Sequence, residues 1–220
     1  MFGLTEKAIS DLMKCPLDNF HIATMEIHSC NQLIKDAMNE IDEVLKSEDA
    51  ETDEIIETGN DDFDDEIWDL DCVALTASQK KVIPPCITLI KSSGGVLVQI
   101  SKALKKLAPS KEDGLRLIHE NGEKSHQQGE ILDKIIDMSR QIQFRIDDLV
   151  CSIYPPQEPN NIWNIVQELL DNLNAIISIC SSEDLFNDTT TFSKLSVIVQ
   201  GVTNKAKGQI KEILNIDSPK

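Results

Sequence analysis

Residues 130–156 read EILDKIIDMSRQIQFRIDDLVCSIYPP, and this stretch decides the fold. Leu132, Ile135, Met138, Ile142, Ile146, Leu149 and Ile153 follow one another at spacings of three or four. That is the period of one buried helical stripe and not of a strand. Glu130 and Lys134 lie four apart, and Asp137 and Arg140 three apart, so the outer face carries weakly favourable ion pairs. Pro155 and Pro156 lack amide hydrogens, and each biases the residue before it away from helix, so the helix is expected to end near Tyr154. By itself this is the core helix of an all-helical bundle.

Similar stripes lie on both sides of it. Upstream, Ile83, Ile90, Leu97 and Leu104 repeat every seven residues, as do Cys86, Ser93, Ile100 and Leu107. This heptad seam predicts a helix over about 78–107. Pro84 and Pro85 must begin that helix or kink it. Gly94-Gly95 in its middle costs about 1 kcal/mol per glycine against alanine, and the close approach of a neighbouring helix would explain the pair. A nucleotide loop does not: no strand precedes the glycines and no Gly-Lys-Ser/Thr follows.

Nearer the N-terminus, Ile27, Cys30, Ile34, Ala37, Ile41 and Val44 predict a helix capped by Asp18 or Asn19 and running to about Lys46. A short helix capped by Thr5 and closed by Cys15-Pro16 precedes it. Residues 108–128 read as a polar connection, with a helical turn around Leu115–His119. Beyond the double proline, Asn160 or Asn161 caps a helix to about Cys180, with Ile162, Ile165, Val166, Leu169, Leu173, Ile176 and Cys180 inward. After a break at Ser181–Asp188, Thr189 or Thr190 caps the last one, with Phe192, Leu195, Val199, Val202, Ala206, Ile210 and Ile213 inward.

Composition agrees. With 220 residues the chain can bury a substantial core, and aromatics at 4% leave that core to Ile, Leu and Val. No uninterrupted apolar run approaches a membrane span, and the first residues are not a secretory signal. Six widely spaced cysteines without a Cys-x-x-Cys point to a reducing compartment.

The net charge of −17 is concentrated. Residues 48–71 hold thirteen acids and no Lys or Arg, leaving 25 acids against 21 bases elsewhere. This density opposes collapse, so 48–71 is expected to be a solvated, disordered loop. Its functional reading is an acidic docking motif, with Phe63, Ile67, Trp68 and Leu70 interleaved among carboxylates and steered into a basic groove on a partner. No cluster of cations is visible along the chain, which argues against direct nucleic-acid binding.

Catalytic and metal patterns are weak. His21 and His28 lie seven apart with no regular set of acidic partners. Glu123-x-x-His126 matches half of a di-iron element, but such sites need two copies plus two further inward glutamates. No serine or cysteine sits in a recognised nucleophile setting, and Trp163 and Phe192 read as packing residues. Asn187-Asp188-Thr189 matches a glycosylation acceptor that has no secretory signal to use it. No cofactor or metal is expected, and no enzyme activity.

Several blocks carry a family resemblance. Leu132-Asp133-x-Ile135-Ile136-Asp137 is followed by Asp147-Asp148-Leu149 and Ser152-Ile153-Tyr154-Pro155-Pro156. Upstream stand Val82-Ile83-Pro84-Pro85-Cys86, Leu89-Ile90-Lys91 and Glu120-Asn121-Gly122. In this order they closely resemble the cyclin-D-binding protein family, helical Id-like regulators without a basic DNA-contacting region. The resemblance covers roughly residues 20–156 and marks Pro85, Cys86, Asp147, Asp148, Leu149, Ser152, Ile153, Tyr154, Pro155 and Pro156 as motif positions. It implies a non-enzymatic interaction protein that binds D-type cyclins or helix-loop-helix factors and restrains cell-cycle progression and transcription by sequestering them. Residence in cytoplasm and nucleus follows as an expectation. Relatives carry a further helical region ahead of the aligned part, so an apolar face is expected to stand bare here, and homodimerisation would cover it.

The expected architecture is an all-α, antiparallel bundle of about five long helices with one long acidic loop. Residues 1–47 and 72–216 build one bundle, 48–71 is the loop and 217–220 a tail. A cytoskeletal adaptor of the vinculin and alpha-catenin type would show similar stripes and is the alternative reading.

Overall fold

The computed structural model describes residues 19–50, 75–108, 122–181, 185–186 and 189–216. Among the described residues there are five long helices and one short one: α1 (Asn19–Ala50), α2 (Ala77–Lys80), α3 (Ile83–Leu107), α4 (Gly122–Ser152), α5 (Pro159–Ser181) and α6 (Thr189–Ile213). The expected helix at Thr5–Lys14 and the docking residues Phe63, Ile67, Trp68 and Leu70 lie outside the described residues.

The long helices close a ring. α1 packs on α3 and α4, α4 on α5, α5 on α6, and α6 back on α3, which also reaches α4 and α5 across the interior. Successive helices alternate in direction. Gly94 of α3 faces Asn31 and Ile34 of α1, while Ile83 lies beside Ile41 and Leu45, so α1 and α3 are antiparallel. A ring with an odd number of alternating helices must contain one parallel pair. That pair is α1 and α4: Glu26 meets Arg140 and Glu40 meets Tyr154, the same offset at both ends.

The core follows the expected stripes. Leu132, Ile135, Ile142, Ile146, Leu149 and Ile153 are buried, and Met138 is half-buried. α4 buries Ile136, Ser139, Gln143 and Val150 as well, because it meets α1 on one flank and α5 on the other. Seven of the eight heptad positions in α3 are buried, with Leu107 partly so. Each fully buried Ile or Leu among them contributes about 1.5–3 kcal/mol by leaving water. By length and composition Ala77–Leu107 also passes for a membrane-crossing helix, but half of its most apolar window is buried in the bundle.

Several boundaries differ from expectation. α4 begins at Gly122 and not near Glu130, so Glu123-x-x-His126 lies on helix and not in a connection. The polar opening turns lack an apolar stripe, the signal on which the expectation relied. The helix expected over 78–107 is two. Thr76 and Gln79 form a capping box around α2, and Lys81–Val82 separates it from α3, whose first turn holds Pro84 and Pro85. Proline suits that position because its missing donor would be unpaired there anyway. The same logic starts α5 at Pro159, putting Asn160 and Asn161 inside the first turn and not at the cap. α1 continues to Ala50, past Lys46 and into the acidic stretch.

In α6 the inward residue is Thr203 and not Val202. The run Val199, Thr203, Ala206, Ile210 keeps helical spacing, and the Thr203 hydroxyl donates to the Val199 carbonyl at 2.8 Å. The buried oxygen is satisfied, so burying Thr203 costs little. α6 ends on Asn215 at φ 52, with Ile216 N–H bonded to the Lys211 carbonyl and Asn215 N–H to that of Glu212. This is the left-handed cap that asparagine tolerates.

Candidate functional site

The family-motif residues converge on one pole of the bundle, where α1 ends, α3 begins and α4 gives way to α5. Geometry divides them in two. Pro85, Cys86, Leu149 and Ile153 are buried and hold the pole together. Ile153 and Tyr154 close, with Ile41, Leu45, Leu75 and Ile83, around an apolar void of about 10 Å³. Asp147, Asp148, Ser152, Tyr154, Pro155 and Pro156 reach the surface wholly or in part.

Polar contacts fix the turn after α4. The Ser152 hydroxyl donates to the Leu149 carbonyl at 2.8 Å. Gln157 Nε2 donates back to the Ile153 carbonyl and, at 3.4 Å, to the Gln79 carbonyl of α2. The Pro155–Pro156 bond is cis. The Tyr154 hydroxyl donates to Glu40 Oε1 at 3.4 Å. Burial, then the neighbouring Glu40 carboxylate, pushes the Tyr154 phenol up to about 12. Asp147 is held above the usual carboxylate range by burial and by Asp148 and Glu40, and the amide donated by Gln143 opposes the shift only in part. The pole is therefore acidic and carries one aromatic hydroxyl.

On the opposite flank of α4 a groove of about 500 Å³ runs between Arg145, Asp148, Cys151, Ser152, Pro156, Glu158, Asn161 and Ile165. Its one cation is committed: Arg145 pairs with Asp148 at 2.9 Å and with Glu168 of α5 at 3.0 Å. A groove of this kind can hold a polar segment with a basic group at Asp148 and Glu158. Cys151 is its exposed thiol, whereas Cys30, Cys86 and Cys180 are buried.

Among the described residues no group of three or more His, Cys, Asp or Glu is placed to hold a metal ion. His126 is exposed beside Glu130, 3.7 Å away on the same helix, and His21 and His28 are exposed on α1. Trp163 is half-buried with Lys207 Nζ 5.7 Å from its ring centre, and Phe192 packs against Phe186 with 4.8 Å between ring centres.

Sequence reasoning passed over Glu40, Gln157, Arg145 and Glu158, and gave Asn161 only a capping role. Glu40, Gln157 and Arg145 each act through a neighbour on another segment, and no local pattern announces such a pairing. It also saw no clustered cations. α3 carries four lysines and no carboxylate, α6 carries four lysines and one glutamate, and the fold sets these two helices side by side.

Residues 59–178, from the acidic segment through most of α5, match the family model described as Grap2 and cyclin-D-interacting, C-terminal. The chain is 23% identical over 186 residues to the Cyclin-D1-binding protein 1 homolog of Xenopus laevis, covering 82% of this chain and 49% of the relative. Against Cyclin-D1-binding protein 1 of Homo sapiens it is 26% identical over 157 residues, covering 68% and 39%. The Rattus norvegicus protein of the same name gives 28% over 157 residues with the same coverage. The chain thus spans less than half the length of these curated relatives.

Proposed function

Because the chain belongs to the Grap2 and cyclin-D-interacting family, we propose that it is a non-enzymatic interaction protein that binds a D-type cyclin. The observation that carries this reading is the family match itself, which takes in α2, α3, α4 and all but the end of α5. The relatives it resembles are named for binding cyclin D1. Sequestration is the mechanism we infer: the bundle occupies the cyclin, or a helix-loop-helix factor, and keeps it from a productive complex. Negative control of cell-cycle progression and transcription would follow, with the protein acting in cytoplasm and nucleus.

The exposed motif residues are the contact we favour. Packing accounts for Leu149 and Ile153, whereas Asp148 is a surface carboxylate at the rim of the groove. A basic side chain of the partner would meet Asp148 and Glu158 there, and complementary charge steers such encounters.

The test is a titration of the purified chain with a D-type cyclin. We expect low-micromolar binding that weakens several-fold in Asp148→Asn while the helical circular dichroism stays unchanged. Binding by both forms with equal affinity would move the contact away from the groove. No binding by either would remove the cyclin reading for this chain.

A further inference from the structure

The outer seam between α1 and α4 is a face that neither the core nor the Asp148 groove uses. Two contacts fix its register: Arg140 bonds to Glu26 at 2.7 Å, and the Tyr154 hydroxyl donates to Glu40. Glu26 and Glu40 stand fourteen residues apart on α1, as do Arg140 and Tyr154 along α4 and the turn after it. Leu33 and Asp147 lie midway, about two helical turns from each contact, and so on the same line. Leu33 is 46% exposed there. Ile22, one turn before Glu26, is 41% exposed, and Phe144, one turn beyond Arg140, is 57% exposed. Singly such side chains would be ordinary, but a row along one seam marks a contact surface. Its charge has one sign. α1 and α4 together hold thirteen carboxylates against six Lys and Arg. Among the described residues Arg140 is the one cation bonded across the seam, and Glu26 and Asp137 already hold it. Further along, Glu40 and Asp147 receive the neutral donors Tyr154 hydroxyl and Gln143 amide. Burial, then the charges of Asp148 and Glu40, keeps the Asp147 carboxyl above its usual range, a crowding that an incoming cation would relieve.

We propose that the α1–α4 seam docks a basic amphipathic helix of a partner protein. Geometry is the first argument. In the register of the pair Phe144 stands level with Cys30, so Ile22, Phe144 and Leu33 follow one another along the axis. They cover about 16 Å, and Glu26 to Glu40 covers about 21 Å, at the rise of a helix. An α-helix laid along the seam meets the row with apolar residues on three successive turns of one face. Charge is the second argument. Glu26, Asp137, Glu40 and Asp147 border the row, so lysines or arginines flanking the apolar stripe of the docked helix find carboxylates on both sides. A second copy of this chain would set the same carboxylates against one another, and nucleic acid or an anionic membrane would be repelled. The seam lies across α4 from the groove of Asp148 and Glu158, so it is a second contact, independent of the cyclin reading.

The experiment titrates two synthetic peptides into the full chain by calorimetry. One is about five helical turns long, with leucine at i, i+4, i+7 and i+11, lysine on both borders of that stripe and alanine elsewhere. The other has the same composition with its leucines scattered. The patterned peptide should bind at least ten-fold tighter. Leu33→Ser/Phe144→Ser should remove that preference, and Glu40→Gln/Asp147→Asn should weaken the patterned peptide about ten-fold. Ile198→Ala, on the exposed surface of α6, should change nothing. Circular dichroism shows whether each variant keeps its helices. Equal affinity for the two peptides, the result that attraction to the thirteen acids of 48–71 alone would give, overturns the proposal. So does binding by neither, or a preference that survives Leu33→Ser/Phe144→Ser.

A second readout needs no variant. A benzophenone in place of one central leucine of the patterned peptide should cross-link, on irradiation, to fragments of α1 and α4 around Leu33 and Phe144. Cross-links confined to the other helices or to 48–71 overturn the proposal. Light scattering of the chain alone covers the remaining occupant: a dimeric mass at tens of micromolar that Leu33→Ser/Phe144→Ser returns to a monomer would give the seam to a second copy and overturn it as well. None of these readouts involves a cyclin, so they stand or fall apart from the cyclin titration.

Discussion

Tyr154 is the chain's one tyrosine, so tyrosinate absorbance near 295 nm reports it alone. Its phenol sits up at about 12, chiefly from burial and then from Glu40. We expect a midpoint well above that of a free tyrosine, moving down toward 10 in Glu40→Gln. Because the folded value is raised, the folded state holds this proton more tightly than the unfolded chain does. The associated stability is complete below about pH 10 and is lost as pH rises toward 12. A midpoint at 10 in the folded protein would mean that the hydroxyl is not packed against Glu40. Glycine provides a second test at this scale. A Cβ on Gly95 would meet nothing within 4 Å, and one on Gly94 would touch Ile34 and Asn31 at the ordinary distances of 3.6 and 3.7 Å. Close helix approach therefore explains Gly94 only weakly and Gly95 not at all. Gly95→Ala should stabilise by about 0.5–1 kcal/mol and raise the melting temperature by a few degrees. A lower melting temperature would refute that.

Between helices, apolar packing outweighs ion pairing, and α4 shows this in two adjacent residues. Ile146 is wholly buried, while Arg145 bridges to Glu168 of α5 from the half-exposed surface. Ile146→Ala should cost about 2–5 kcal/mol in urea denaturation, from lost transfer energy and a cavity. Arg145→Ala should cost under about 1 kcal/mol, since solvent screens the pair. The reverse order would mean that surface charge holds α4 to α5. Legibility at this scale follows the same physics. Apolar stripes were readable wherever burial demanded them, as in α3 and α5. The start of α4 at Gly122 was not, because its polar first turns carry no stripe. Val202 was expected inside by its side chain, yet Thr203 took the place because a hydroxyl bonded to its own helix can be buried cheaply.

For the molecule as a whole, the closed ring predicts one cooperative core. Cys30, Cys86 and Cys180 are buried on α1, α3 and α5, and burial pushes the Cys86 and Cys180 thiols up to about 12. With Cys15 and Cys72 replaced by serine, only Cys151 should react promptly with a thiol reagent at neutral pH. The other three should react together, at the rate at which helical circular dichroism is lost under mild denaturant. Early release of one of them would show that its helix leaves the ring independently.

By itself the sequence determined the five long helices, most of their inward stripes, the acidic composition of 48–71 and the resemblance to the family, because helical period, charge density and motif order are all local. It did not reveal which helices neighbour one another, and so neither the parallel α1–α4 pair nor the pole around Tyr154. The lysines of α3 and α6 lie scattered over more than a hundred positions of chain. Only packing, which matches apolar faces without regard to sequence separation, sets the two helices that carry them side by side.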